Sequence, residues 1–277
     1  MGPPDLPHTT SASQLSCYVS CPRKYSFRYI EQAQAEFRST ALILGSAVHG
    51  GIGWYFEERL AGHKPTIEDA CSIASIDVVA DVAMGGIRWR TATAESLDEE
   101  ARRLVTLYLE SMTDAPVVQV ERKLEVGLVC PSTGEVFGRP LVGYLDLVLA
   151  DRTVVEIKTA SRAWSEFDLP RNLQLGAYAF ALRHEPHTKL AAHVLVKLKR
   201  EPRLDVLEVN LDGQAQAWWL AAVSEIERAI AAHHFPPTPS PLCHQCEYER
   251  ACARRSLSVA ARVEQPASSI PSVAFAM

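Results

Sequence analysis

The sequence predicts an α/β fold: a mixed core, a helical insertion before it, and a metal-bound segment closing the C-terminal side. Three observations carry this. The stretch before residue 117 reads as helix, whereas from 117 onward runs of period two alternate with helical runs. A chain of 277 residues buries a core without covalent staples, so its cysteines are not needed for that purpose. Yet "CHQCEYERAC", residues 243–252, gathers three of the seven cysteines at metal-ligand spacing, and a tetrahedral sulfur site takes four.

Taken in order, residues 13–34 read as helix with Ser13 as N-cap and a kink at Pro22. "ALILGSAVHGGIGWYFEERLAG" continues the helical pattern with glycines on one side. Residues 66–112 read as wholly helical: Thr66 and Asp69 resemble a capping box, and Leu104, Leu107, Tyr108 and Met112 recur at helical spacing. "VVQVERKLEVGLV" then alternates loosely, "STG" signals a turn, and "RPLVGYLDLVLA" and "TVVEIKTA" read as strands joined at Asp151-Arg152. "LPRNLQLGAYAFALRHE" is an amphipathic helix opened by Pro170. "AAHVLVKLKR" and "RLDVLEVNL" are two more strands, and "GQAQAWWLAAVSEIERAIAAHH" is a helix stopped by Pro236-Pro237. The tail from about residue 257, rich in Ser, Ala and Pro, is expected to be flexible. The implied divisions are 11–53, the helical insertion 54–116, the core 117–234, the cysteine segment 235–256 and the tail 257–277.

A net charge of −5 excludes a protein that coats nucleic acid nonspecifically, but leaves room for a local basic groove. Basic residues cluster at Arg23, Lys24 and Arg28, at Lys197, Lys199, Arg200 and Arg203, and at Arg250, Arg254 and Arg255; taken singly, each cluster also suits a solvated face. The N-terminal stretch has no signal-peptide pattern and no segment is apolar enough to span a bilayer, so a soluble, intracellular protein is expected. In a reducing compartment an odd cysteine count suggests metal ligands plus free thiols, with Cys71 and Cys130 as buried thiols.

The chemistry concentrates in "GYLDLVLADRTVVEIKTA". Glu156 and Lys158 lie two apart on a strand and share a face, with Cα atoms roughly 6.6 Å apart. An antiparallel neighbour can bring Asp146 beside them. Acids among Leu147, Val148, Val154, Val155 and Ile157 need compensation. Mg2+ or Mn2+ would supply it and hold a water for attack on a phosphodiester, with Lys158 orienting the water or neutralising phosphate charge. The alternative is a structural salt bridge between Lys158 and one acid.

"GYLD", the ten residues from Asp146 to Glu156, and "EIK" resemble the core motif of the PD-(D/E)XK nucleases, without the proline beside the aspartate. "GSAVH" is similar to the G-x-x-x-H of the RecB-like branch and "QLGAY" to its Q-x-x-x-Y. The resemblance implies a restriction-endonuclease-like core, metal held by His49, Asp146, Glu156 and the Ile157 carbonyl, and catalysis by Asp146, Glu156 and Lys158. It also implies Gln174 and Tyr178 as DNA contacts or active-site support, and more loosely Glu121, which is equally suited to a structural place. "SASQLSCYVSCPRKYSFRYI" resembles the segment that carries the first iron–sulfur ligand in cluster-containing members. This implies a 4Fe-4S cluster on Cys21, Cys243, Cys246 and Cys252, with Cys17 as substitute for Cys21. Four thiolates suit zinc equally, and His244 offers a rival zinc arrangement.

The expected activity is therefore that of a DNA nuclease, an exonuclease on single strands or duplex ends, serving recombination, repair, phage or CRISPR DNA processing. No helicase module accompanies the motifs, which suggests a stand-alone nuclease; a helicase, recombination or CRISPR-adaptation partner stays open. The competing readings are an inactive DNA-binding or scaffold protein of the same fold and a zinc-stabilised binding protein.

Overall fold

The computed structural model describes residues 5–185, 188–198 and 200–263, with side chains described up to residue 257. Helix α1 spans Ala12–Ser20, and Ser11 caps it by accepting from the Gln14 N–H at 3.2 Å, so Ser13 lies inside the helix rather than at its cap. Cys21 is extended and ends α1, and Pro22 opens a new short helix, α2 (Pro22–Tyr25), instead of kinking one helix. A π-helical turn, Ser26–Ile30, completes this stretch, and residues 31–37 are not helical.

After the two-residue strand β1 (Arg38–Ser39) come α3 (Thr40–Leu60) and α4 (Ile67–Ala83), the latter opened by the Thr66–Asp69 capping box. The expected single helix over 66–112 is broken. Gly85 and Gly86 take φ of +68° and +66°, a conformation only glycine adopts cheaply. Strand β2 (Ile87–Arg88) pairs parallel with β1 there, and Thr93 caps a separate helix, α5 (Ala94–Ser111).

The main sheet consists of β3 (Val117–Val126), β4 (Leu141–Leu149), β5 (Thr153–Ala160), β6 (Lys189–Val196) and β7 (Arg203–Val209), in the spatial order β3-β4-β5-β6-β7. Neighbours are antiparallel except β5 and β6. That parallel pair needs a crossover, which α6 (Leu173–Ala181) provides. Asn172, not Pro170, opens α6, its side chain accepting from the N–H groups of Gln174 and Leu175. Helix α7 (Gly213–Ala231), a 3-10 turn at Pro241–Gln245 and α8 (Glu249–Val263) complete the fold. The expected flexible tail is thus helical as far as Val263, and its remainder lies outside the described residues.

Helices α3, α4 and α5 pack together over Leu147, Val155, Ile157 and Leu195 of the sheet. Helix α3 runs unbroken through residues 53 and 54, so the insertion shares its core with the sheet. A second cluster joins α1, α2, α6 and α7 around Trp219 and Tyr25. Trp219 donates its Nε1–H to the Leu173 carbonyl at 2.9 Å, and its ring lies so close to Gly176 that an added Cβ would stand 2.1 Å from Cδ1. Gly176→Ala is therefore expected to destabilise the fold by about 1–3 kcal/mol, measured as a lowered denaturant midpoint.

Between α5 and β6, the buried His193 Nδ1 lies 3.0 Å from the Tyr108 hydroxyl. Burial pushes the His193 imidazole down to about 4, against 6.5 for an ordinary one. The unfolded chain then binds the extra proton below pH 6.5 while the folded one refuses it until about 4. On the order of 3 kcal/mol of stability is present above pH 6.5 and lost as pH falls through that window. His193→Asn should flatten the slope of Tm against pH between 6.5 and 4.

Candidate active site

The site forms where the β4–β5 ladder stops. Leu147 pairs with Val155 and Val148 with Val154; one step further Asp146 would oppose Glu156, but the strands part. In place of the ladder bond, Asp146 Oδ2 accepts the Ile157 N–H at 2.6 Å, which fixes the carboxylate at the fork. Its Oδ1 faces His49 Nδ1 of α3 at 3.4 Å. On the other flank, β3 is registered Val120 to Leu147 and Arg122 to Leu145, so Glu121 lies opposite Asp146. Glu121 holds φ at +46°, a left-handed conformation that is costly for a side chain bearing a Cβ. Ligand atoms of His49, Glu121 and Asp146 all lie within 4.8 Å of one another.

Glu156 sits on the face of β5 directed at α6 and is 1% exposed. Its Oε1 stands 2.5 Å from Lys158 Nζ as an ion pair but lacks a well-aligned hydrogen bond. Tyr178 Oη lies 2.7 Å from Glu156 Oε2 and 2.6 Å from the Tyr144 carbonyl, and Gln174 Nε2 donates to the same hydroxyl at 2.9 Å. Gln174 and Tyr178, one turn apart on α6, thus hold the acid in place. Burial, reinforced by the charge of Asp146, keeps the Glu156 proton to a higher pH than an ordinary glutamate, against the opposing pull of Lys158 and Tyr178. Glu121 is raised for the same two reasons, burial first and Asp146 second. Burial lowers His49, but the carboxylates of Asp146 and Glu156 outweigh it and the net direction is up.

The model of the PD-(D/E)XK nuclease superfamily matches residues 9–253. The chain belongs to that superfamily. The crystal structure of a candidate exonuclease from Eubacterium rectale shares the fold, with a TM-score of 0.53 at 13% identity over 87% of this chain and 88% of its own. The structure of SSO0001 aligns over 87% of this chain and 93% of its own, also at 13% identity but with a TM-score of 0.34. No curated protein matches the chain in sequence.

For this superfamily member, a nitrogen-and-oxygen donor set at the fork fits a hard divalent cation. The close group contains Glu121 in place of Glu156, which Lys158 and Tyr178 engage. A cleft of 650 Å³ opens onto it, lined also by Glu57 of α3 and Asp77 of α4. Sequence reading passed over both. His49, Gly53 and Glu57 follow at i, i+4 and i+8, one helical face, which would have exposed Glu57. Asp77 reaches the cleft only because α4 crosses α3 at Gly50 and Gly51, where an added Cβ on Gly51 would stand 2.8 Å from the Ala70 carbonyl oxygen.

Two of the basic clusters are engaged elsewhere. Lys24 pairs with Glu247 at 2.8 Å, Arg255 with Glu31 at 2.6 Å and Arg250 with Glu36 at 3.5 Å, while Arg23 Nε donates to the Phe235 carbonyl. Phe27 stacks on Tyr248. These contacts fasten the 235–256 segment to the segment that holds Cys21. The thiol of Cys252 feels those of Cys21 and Cys243, and that of Cys246 feels Cys21. Burial pushes Cys17 up to about 11, which disfavours its thiolate. Cys71 is buried as expected, whereas Cys130 is only half-buried, in a turn where Ser132 and Thr133 hydrogen bonds pull its thiol down to about 6. Among the described residues, no helix is long and apolar enough to cross a membrane.

Proposed function

We propose that the chain is a divalent-metal-dependent deoxyribonuclease of the RecB-like kind, an exonuclease on single strands or duplex ends. One observation carries the reading: the fork between β4 and β5 gathers Asp146, Glu156 and Lys158 of the nuclease motif beside His49 and Glu121. Bound Mg2+ or Mn2+ would supply a water of lowered pKa and neutralise phosphate charge. His49, Asp146 and Glu121 are the donors already in range, with Glu156 and the Ile157 carbonyl completing the set implied by the motif. Lys158 moves from Glu156 to the phosphate or the attacking water, and Tyr178 and Gln174 keep Glu156 from following it. Cys21, Cys243, Cys246 and Cys252 would carry a 4Fe-4S cluster, structural rather than electron-carrying, that clips the C-terminal segment in place; zinc is the rival occupant.

The test is hydrolysis of end-labelled single-stranded and duplex DNA with Mg2+, with Mn2+ and in EDTA. Cleavage is expected with either ion and none in EDTA; full activity in EDTA overturns the metal-dependent mechanism. Because Glu121 and Glu156 retain protons to higher pH than usual, protons compete with the cation. The metal concentration for half-maximal activity should fall as pH rises above the ordinary glutamate range. The Lys158–Glu156 ion pair also suits a catalytically silent DNA-binding protein, which would bind the same oligonucleotides without shortening them.

A further inference from the structure

We propose that Phe167 is a stacking platform for an unpaired base of the substrate strand, which makes single-stranded DNA, or a splayed end, the form that enters the active site. The proposal rests on the nuclease reading above and adds the substrate form and the residue that selects it. Phe167 is 92% exposed. It lies in the loop that leaves β5 just past Lys158 and leads to α6.

That loop is anchored on both sides of the ring. Trp164 and Leu169 pack into a cluster with Leu175 and Val194. The Asp168 carboxylate accepts from the Ser165 N–H at 2.9 Å and from its hydroxyl at 3.0 Å, and the Asp168 N–H donates to the Ser165 carbonyl. Phe167 is thus held outward at the crest of a hydrogen-bonded turn. A lone exposed phenylalanine means little. This one follows Trp164 and precedes Asp168 in the chain, and both of those line a second cleft of 650 Å³, so the turn that carries Phe167 borders the cleft while its ring stays outside the lining.

Lys158 lines that cleft and the metal-site cleft alike. A strand running from one to the other therefore passes its phosphate over the lysine. One wall of the second cleft carries Ser13, Ser16 and Ser20 of α1, at i, i+3 and i+7, and Arg162 and Arg171 stand on the loop side. Hydroxyls and guanidinium groups suit a phosphodiester backbone. An exposed aromatic face on the turn that borders them suits the base, and every base presents a face only when unpaired. Duplex DNA could use the cations but would leave Phe167 idle.

The experiment uses single-stranded oligonucleotides carrying 2-aminopurine at successive positions, mixed with the full chain in EDTA. Stacking quenches the fluorophore, and wild-type protein should quench it at one or two adjacent positions only. Phe167→Ala should remove that quenching and weaken binding about 5- to 150-fold, and Phe167→Trp should restore both. With metal, the loss in Phe167→Ala falls on KM rather than kcat, and Tm does not move because the ring is exposed. Equal binding and quenching by wild type and Phe167→Ala, while wild type cleaves single strands, overturns the platform and leaves the nuclease reading standing. Position-specific quenching by a protein that cleaves no DNA supports the platform and removes the nuclease reading. No quenching by wild type at any position overturns the proposal.

Discussion

Replacing Lys158 or Glu156 with alanine is expected to lower DNA cleavage by about 10³-fold or more, with fold retained. The two substitutions fail for different reasons. Glu156 is 1% exposed and placed by Tyr178, so its loss removes a carboxylate whose orientation the protein has already fixed. It also leaves the Lys158 ammonium without its partner. Lys158→Ala leaves the carboxylate, now without its ion pair, in a buried place where it takes up a proton more readily. Divalent metal should then bind Lys158→Ala with an affinity that depends more steeply on pH than in wild type, whereas Glu156→Ala should bind it weakly at every pH. Single-turnover cleavage and a metal titration by calorimetry read the two quantities separately. Retained cleavage in both variants would sink the active-site assignment, and loss of secondary structure by circular dichroism would expose a folding effect.

The residues at the fork were legible because two short-range rules place them. Period two puts Glu156 and Lys158 on one face, and a tight turn near Asp151-Arg152 brings Asp146 alongside, although it has three residues, Ala150 to Arg152 with Arg152 left-handed at φ +67°, rather than the two expected. What could not be read was that the ladder would stop at Leu147, with Asp146 replacing a backbone acceptor at Ile157. Glu121 was visible as an acid on a strand, but its left-handed backbone, which aims it at Asp146 and His49, has no signature in a non-glycine residue. The break in the helical insertion was another matter. Gly85-Gly86 is a breaker pair in the sequence, but the Thr66–Asp69 capping box and the apolar spacing of Leu104 to Met112 lie on either side of it and say nothing of the stretch between. The π-helical turn after Pro22 follows from packing of Phe27 and Ile30, a tertiary effect that propensity does not carry.

Cys252→Ala, or Cys21→Ala, is expected to bleach the anaerobically purified protein and lower its Tm by roughly 10 to 20 °C. A cluster joining Cys21 to Cys243 closes a loop of about 220 residues, and the chain entropy so removed corresponds to about 5 kcal/mol. The loss should not unfold the protein. Apart from the thiols, the segment is held by the Lys24–Glu247 pair, the Phe27–Tyr248 stack and backbone bonds from Arg23 to Pro236 and from Glu36 to Glu247. Local release of residues 235–256 is therefore expected first, read as faster hydrogen exchange there while the sheet stays protected. Cys17→Ala supplies the control: if Cys21 is the ligand, this variant keeps both colour and Tm. A colourless wild-type protein that loses the same stability on Cys252→Ala would hold zinc, since the entropy of closure does not depend on which metal closes it. Unchanged colour and Tm in Cys21→Ala and Cys252→Ala would dismiss a metal at this place and leave the ion pairs, the aromatic stack and the backbone bonds as the attachment.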